Sequence, residues 1–178
     1  MPFNIIRNDI TKLSTDAIVN AANEQLLAGG GVCGVIFAAA GNGRLQAACN
    51  KIGHCSVGCA VITDGYNLPS KYIIHTVGPI YGRNPKEEET QLYSCYISSL
   101  ELAKSKKLKS IAFPLISSGI YGYPKAEALK IATKAIKDFL EENEMDIYLV
   151  VYDRKSFEIS EKLFEEVQSF IDEKLIAP

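Results

Sequence analysis

Asp16-Ala-Ile-Val-Asn-Ala-Ala-Asn23, followed two residues later by Leu26-Leu-Ala-Gly-Gly-Gly-Val-Cys-Gly34, is the stretch on which the fold turns. A short apolar run ends in asparagines, then glycines, then a segment with helical spacing. The same order recurs in Ser110-Ile-Ala-Phe-Pro-Leu-Ile116, Ser117-Ser-Gly-Ile-Tyr-Gly-Tyr123 and a helix whose first turn suits Pro124. Further apolar runs are Ala60-Val-Ile-Thr63, Tyr72–Val77 and Asp146–Tyr152, with an early strand expected at Phe3–Arg7. Runs apolar at every position are strands covered on both faces. Between them lie helical stripes: Leu92, Tyr96, Leu100, Ala103; Leu129, Ala132, Ile136, Phe139; and Leu163, Val167, Phe170, Ile171. Strands interleaved with helices predict an α/β protein, a three-layer α/β/α sandwich with a mixed, mainly parallel central sheet.

The length of 178 residues suits one domain spanning 1–178. With 47% apolar and 22% charged residues, the chain is neither disordered nor a coiled coil. A net charge of −2 disfavours a protein that grips a nucleic-acid backbone, so no nucleic-acid partner is expected. It leaves room for a small anion held by backbone N–H groups. No apolar run reaches the ~20 residues of a membrane span. The five cysteines and the absence of a visible secretory signal predict reduced thiols and a cytoplasmic location; a monomer without membrane contact is expected.

Sheets of this kind bind ligands beyond the carboxyl ends of their strands, so the loops after the apolar runs are where chemistry is expected. Two glycine-bearing loops, each ending a strand and opening a helix, suit a diphosphate, and the hydroxyls of Ser117 and Ser118 can add donors. Neither loop has the Gly-Lys-Ser/Thr of a P-loop or the dinucleotide fingerprint. Taken alone, each is equally a tight turn. Asn20 and Asn23 suit sugar hydroxyls, or they bond their own turn.

Asn8-Asp-Ile-Thr11, Asp16–Asn23, Gly29–Gly34, Gly65-Tyr-Asn-Leu-Pro69, His75-Thr-Val-Gly-Pro79 and Ser117–Tyr123 together resemble the macrodomain family, over about residues 3–170. The closest likeness is to the branch that binds ADP-ribose and removes ADP-ribosyl or O-acetyl groups. The resemblance implies a role for each matching position. Asp9 would accept from the adenine amino group, beside the backbone of Ile10, and Tyr152 would lie on the adenine face. Gly30, Gly31, Val32, Cys33 and Gly34 would wrap one side of the diphosphate and distal ribose. Ser117, Ser118, Gly119, Ile120 and Tyr121 would wrap the other. Asn23 would hold the distal ribose near the reacting carbon, and Asn20 is expected beside it as a ligand-binding and catalytic residue. The implied partner is ADP-ribose or an ADP-ribosylated protein, with neither a metal nor a cofactor.

Two positions depart from that branch, whose loop usually runs Gly-Val-Asp-Gly with a histidine three residues further on. Here the aspartate position is Cys33 and the histidine position is Phe37. A thiol is a poor substitute for a carboxylate that orients or activates water. Three readings follow. Water held by the substrate's own diphosphate and Asn23 could hydrolyse the ester. The chain could be a reader that only binds. Or Cys33 could be the nucleophile, which needs a base where only His54 and His75 exist. The order of preference is as given.

Cys49, His54, Cys55 and Cys59 do not have a familiar zinc spacing, so no metal site is expected. The lysines at 104, 106, 107 and 109 read as a solvated helix end, Glu87–Glu89 as carboxylates suited to a helix start, and Lys125 as solvent-facing.

Overall fold

The computed structural model describes residues 2–163. Six strands form one sheet: β1 (Phe3–Arg7), β2 (Ala17–Ala22), β3 (Ala60–Asp64), β4 (Tyr72–Val77), β5 (Ser110–Pro114) and β6 (Asp146–Val151). Their order is β1-β6-β5-β2-β4-β3, and every neighbouring pair is parallel except β3 with β4. Five helices follow the chain: α1 (Gly31–Ala40), α2 (Asn42–Ile52), α3 (Glu88–Ser105), α4 (Lys125–Leu140) and α5 (Arg154–Leu163). This is the expected mixed, mainly parallel sandwich.

Alternate residues of each strand feed two cores. Ala17 and Val19 of β2 join Leu92, Tyr96, Leu129 and Ile136 on the α3–α4 face. Ile18, between them, joins Ile36, Phe37 and Leu45 on the α1–α2 face. Both faces are therefore dry, which explains why the strand sequences show no polar alternation.

Three expectations need adjustment, and a fourth is described only in part. The segment after Gly34 is two helices, broken at Gly41, whose φ of 102° is open to glycine. β5 ends at Pro114, two residues short of its apolar run, because the buried Tyr96 hydroxyl takes the N–H of Ile116 and itself donates to Pro114 O. Pro124 precedes α4 as its N-cap, with ψ of 130°, instead of occupying the first turn. Of the C-terminal stripe, Leu163 ends α5, while Val167, Phe170 and Ile171 lie outside the described residues.

The topology places the site. β2 and β5 are neighbours, but they pair only at Ala17–Ile111 and Ile18–Ala112 and then part toward their carboxyl ends. β2 runs on into α1 on one face of the sheet, and β5 runs on into α4 on the other. Loops leaving adjacent strands in opposite directions open a crevice between them.

Candidate functional site

Two adjoining cavities fill that crevice, of about 620 Å³ and 210 Å³. They share Gly31, Val32, Leu115 and Gly119, so they form one elongated groove. The larger end is lined by Asp9, Ile10, Ser118 and Tyr152 among the predicted residues. The narrower end is lined by Asn23, Gly30, Cys33, Ser117, Ile120 and Tyr121. Asn20 and Gly34 line neither.

The backbone makes the narrow end electropositive. Helix α1 forms its first turn bond from Gly34 N to Gly30 O, which leaves the N–H groups of Gly31, Val32 and Cys33 ahead of any intrahelical acceptor. Across the groove, turn bonds run from Ser118 N to Leu115 O, Gly122 N to Gly119 O and Tyr123 N to Ser117 O. Among the described residues no acceptor takes the N–H of Gly119, Ile120 or Tyr121. Six N–H groups without an acceptor among the described residues thus belong to residues that line the narrow end, a lining that suits an anion. The serine hydroxyls do not add to them, contrary to expectation: Ser117 Oγ donates to Pro79 O at 2.8 Å and Ser118 Oγ to Leu115 O at 2.7 Å. Those bonds hold the loop shape, and Ser117 accepts a left-handed φ of 66° within it.

Glycine 34 acts by its lack of a side chain. A Cβ there would run into the carbonyl oxygen of Gly29, so the loop can fold back on α1 only over a glycine.

The polar side chains divide into those at the groove and those beneath it. Asp9 spends one oxygen, Oδ1, on Thr11 N at 2.9 Å and Thr11 Oγ1 at 2.6 Å, capping the short 3-10 turn Ile10–Lys12. Its other oxygen has no partner among the described residues and is available to the larger cavity. Asn23 closes its own loop, donating from Nδ2 to Leu27 O at 2.8 Å and accepting at Oδ1 from Leu27 N at 3.0 Å. Each end of that amide keeps one further hydrogen-bonding position. Asn20 is fully buried, so instead of touching a ligand it supports the floor. Its Nδ2 lies 3.1 Å from His75 Nδ1 and 3.7 Å from Cys33 Sγ, and its Oδ1 has no partner among the described residues.

Burial lowers the pKa of His75 to about 4, so the imidazole is neutral, and its Nε2 meets Thr63 Oγ1 at 2.9 Å. Phe37 is buried edge-on to this ring, centroids 6.4 Å apart, and is part of the core. Cys33 Sγ faces Leu27 O at 3.7 Å and has no imidazole beside it. A histidine this weakly basic, with Asn20 interposed, cannot take a thiol proton, which removes the chemical support for a Cys33 nucleophile.

Sequence reasoning missed Asp153, Ser156 and Val35, which line the larger cavity, and Gly78, which lines the narrower one. The Asp-x-x-Ser spacing at a helix start was the available signal for Asp153. Lys125, expected to face solvent, bonds Asp153 Oδ2 and Ser156 Oγ, both at 3.0 Å. Burial works against ionisation of Asp153. The Ser156 hydroxyl and N–H together with Lys125 outweigh it, pulling the pKa from 3.8 to about 2. A carboxyl depressed in this way adds stability that is complete above its unfolded value and is lost as pH falls through the folded one. Thermal melts of wild type and Asp153→Asn are therefore expected to differ at pH 5 and converge as the pH falls to about 2. A gap independent of pH would contradict this.

Cys49 and Cys55 are buried and Cys59 is exposed, while His54 pairs with Glu24 at 3.4 Å. Among the described residues no three His, Cys, Asp or Glu side chains are grouped to hold a metal ion, and no helix is long and apolar enough to cross a membrane.

Against known proteins, the Macro domain profile matches residues 19–132. The chain is 44% identical to the O-acetyl-ADP-ribose deacetylase of Escherichia fergusonii, over 90% of this chain and 93% of that one. It is 49% identical to the mouse ADP-ribose glycohydrolase MACROD1, over 79% of this chain and 43% of the longer mouse protein. Its fold superposes on the Trypanosoma brucei macrodomain in complex with ADP-ribose with a TM-score of 0.83 at 39% identity, covering 90% and 68% of the two chains. The chain belongs to the macrodomain family.

Proposed function

We propose that this macrodomain binds ADP-ribose along the groove and hydrolyses ADP-ribosyl esters, whether on acidic side chains or as O-acetyl-ADP-ribose. The observation that carries the reading is the continuity of the two cavities, with a wider end where Ile10, Val35 and Tyr152 stand beside Asp9, and a narrower end between the glycine loops. Adenine fits the first, where Asp9 can accept from its amino group, and Tyr152, 61% exposed, can cover its face. The diphosphate fits the second, bound by backbone N–H groups without any lysine. Asn23 would meet the distal ribose with the free half of its amide. The names of the E. fergusonii and mouse relatives support the activity, and the T. brucei complex supports the ligand.

Catalysis here is positioning. Water held between the diphosphate and Asn23 attacks, the ester C–O bond breaks, and ADP-ribose and a carboxylic acid leave. Asn20, locked on His75, holds up the floor under Cys33. A second reading, a reader that binds without turnover, is favoured by one observation: the groove offers Cys33 where the hydrolytic branch offers a carboxylate.

Calorimetric titration with ADP-ribose, followed by incubation with a glutamate-linked ADP-ribosyl peptide, tests both readings. Failure to bind at millimolar ADP-ribose would sink them together. Tyr152→Ala is expected to weaken binding about tenfold, since stacking of a base on an aromatic ring is worth ~1–3 kcal/mol. The exposed ring holds no core together, so the melting temperature should barely move. Undiminished affinity would place the adenine elsewhere.

A further inference from the structure

The groove does not close at its ribose end. Gly78 and Tyr121, which line the narrow cavity, also line a third one of about 180 Å³ that continues outward. Its floor is apolar, from Val57, Val77, Pro79 and Ile80. Arg83, Glu24 and Glu88 stand in its walls.

The turn that carries Arg83 is built to stay still. Glu88, expected only to suit a helix start, is buried and spends both carboxylate oxygens on this turn. It accepts from Gly82 N at 2.9 Å and Asn84 N at 2.6 Å, the two residues flanking Arg83. Tyr81 N donates to Tyr121 O at 2.9 Å, fastening the turn to the loop that lines the ribose end. Burying a carboxylate is costly unless its oxygens are satisfied, and here they are satisfied by the turn itself. Arg83 itself is exposed, and the backbone on either side of it is what Glu88 holds. Arg83 makes no ion pair among the described residues, whereas Glu24 Oε2 lies 3.4 Å from His54 Nε2. The Tyr121 phenol registers the meeting point: burial raises its pKa, Glu24 and Cys33 raise it further, and Arg83 lowers it.

We propose that this third cavity is the subsite for the acid that departs from the distal ribose, with Arg83 as its carboxylate-recognising residue. The inference rests on the ester-hydrolase reading and names the leaving group that this chain is shaped for. The substrate ester is neutral at this point. Hydrolysis adds the elements of water across its C–O bond, with hydroxyl on one fragment and a proton released to solvent, so the acid leaves as a carboxylate. Negative charge therefore develops where Arg83 waits, and a preorganised cation there favours the transition state and product over the ester. The first carbons of an acidic side chain would lie on the apolar floor.

The test is calorimetric titration of N-acetylglutamate into the protein saturated with ADP-ribose, for wild type, Arg83→Gln and Arg83→Lys. Wild type should take up the acid. Arg83→Gln should weaken that uptake about tenfold and leave the ADP-ribose affinity within about twofold, and Arg83→Lys should recover part of the loss. Turnover of the glutamate-linked peptide should fall in parallel, in kcat/KM. A wild-type ADP-ribose complex that takes up no acid, or an Arg83→Gln variant that takes it up like wild type, overturns the subsite and leaves ADP-ribose binding standing. Absence of ADP-ribose binding in wild type overturns the functional reading and the subsite with it.

Discussion

Gly34→Ala is expected to weaken ADP-ribose binding by about a hundredfold, close to 3 kcal/mol. The new methyl would overlap the carbonyl oxygen of Gly29, which is backbone and cannot rotate aside. Relief requires the loop to lift from α1, and forced packing of this kind costs ~1–3 kcal/mol. Lifting would also draw the N–H groups of Gly31 and Val32 away from the proposed diphosphate position, where each hydrogen bond to a charged group is worth ~1.5–3 kcal/mol. Gly43→Ala is the control. Its Cβ would meet nothing within 4 Å, and the residue is exposed on α2, outside both cavities of the groove. That variant should bind within about threefold of wild type, because a surface substitution with room around it costs little. Calorimetry on both variants decides the matter. If Gly34→Ala binds as well as Gly43→Ala, this loop is not what holds the diphosphate.

Cys33→Asp is expected to raise turnover of an ADP-ribosyl ester by about a hundredfold, the lower range for adding a positioned general base. The surroundings suit the new carboxylate. Asn20 Nδ2, 3.7 Å from Cys33 Sγ, is a donor already held in place by His75. The start of α1 favours negative charge on its first turn. His75, with its pKa lowered by burial to about 4, stays neutral at pH 7 and does not neutralise the new group by an ion pair. The bond from the thiol to Leu27 O is lost, so a modest fall in melting temperature should accompany the gain. Single-turnover kinetics on a glutamate-linked ADP-ribosyl peptide is the measurement. A wild type with no turnover beside an active Cys33→Asp identifies a reader. If instead turnover is unchanged by the substitution, the site does not lack a base, and the account of Cys33 given above fails.

Reading from sequence worked best where one residue's neighbours along the chain set its environment. The apolar run Ala17–Val19 had to be covered on both faces, and the glycines at 29–34 and 117–123 had to be loops, because strand burial and turn chemistry are local properties. The groove was legible to that extent, including Asp9, Tyr152 and the two loops. Side-chain commitments across long separations were not. The hydroxyls of Ser117 and Ser118 are equally able to face a ligand or a carbonyl, and only the packed loop turns Ser117 toward Pro79. Lys125 finds Asp153 and Ser156 only because α4 and α5 pack together. Glu88 looks like any acidic residue at a helix start until the preceding turn folds back on it.

Pattern and composition thus determined an α/β sandwich with glycine-bearing loops after its strands, since hydrophobic period and glycine placement act within a few residues. Tertiary structure alone decided that Asn20 is a buried support with His75 behind it, and that Phe37 is core. It also decided that the groove extends past Tyr121 to Arg83. Those outcomes depend on which strands become neighbours, and a pairing such as β2 with β5 joins residues about ninety positions apart. Local propensity carries no information over that distance.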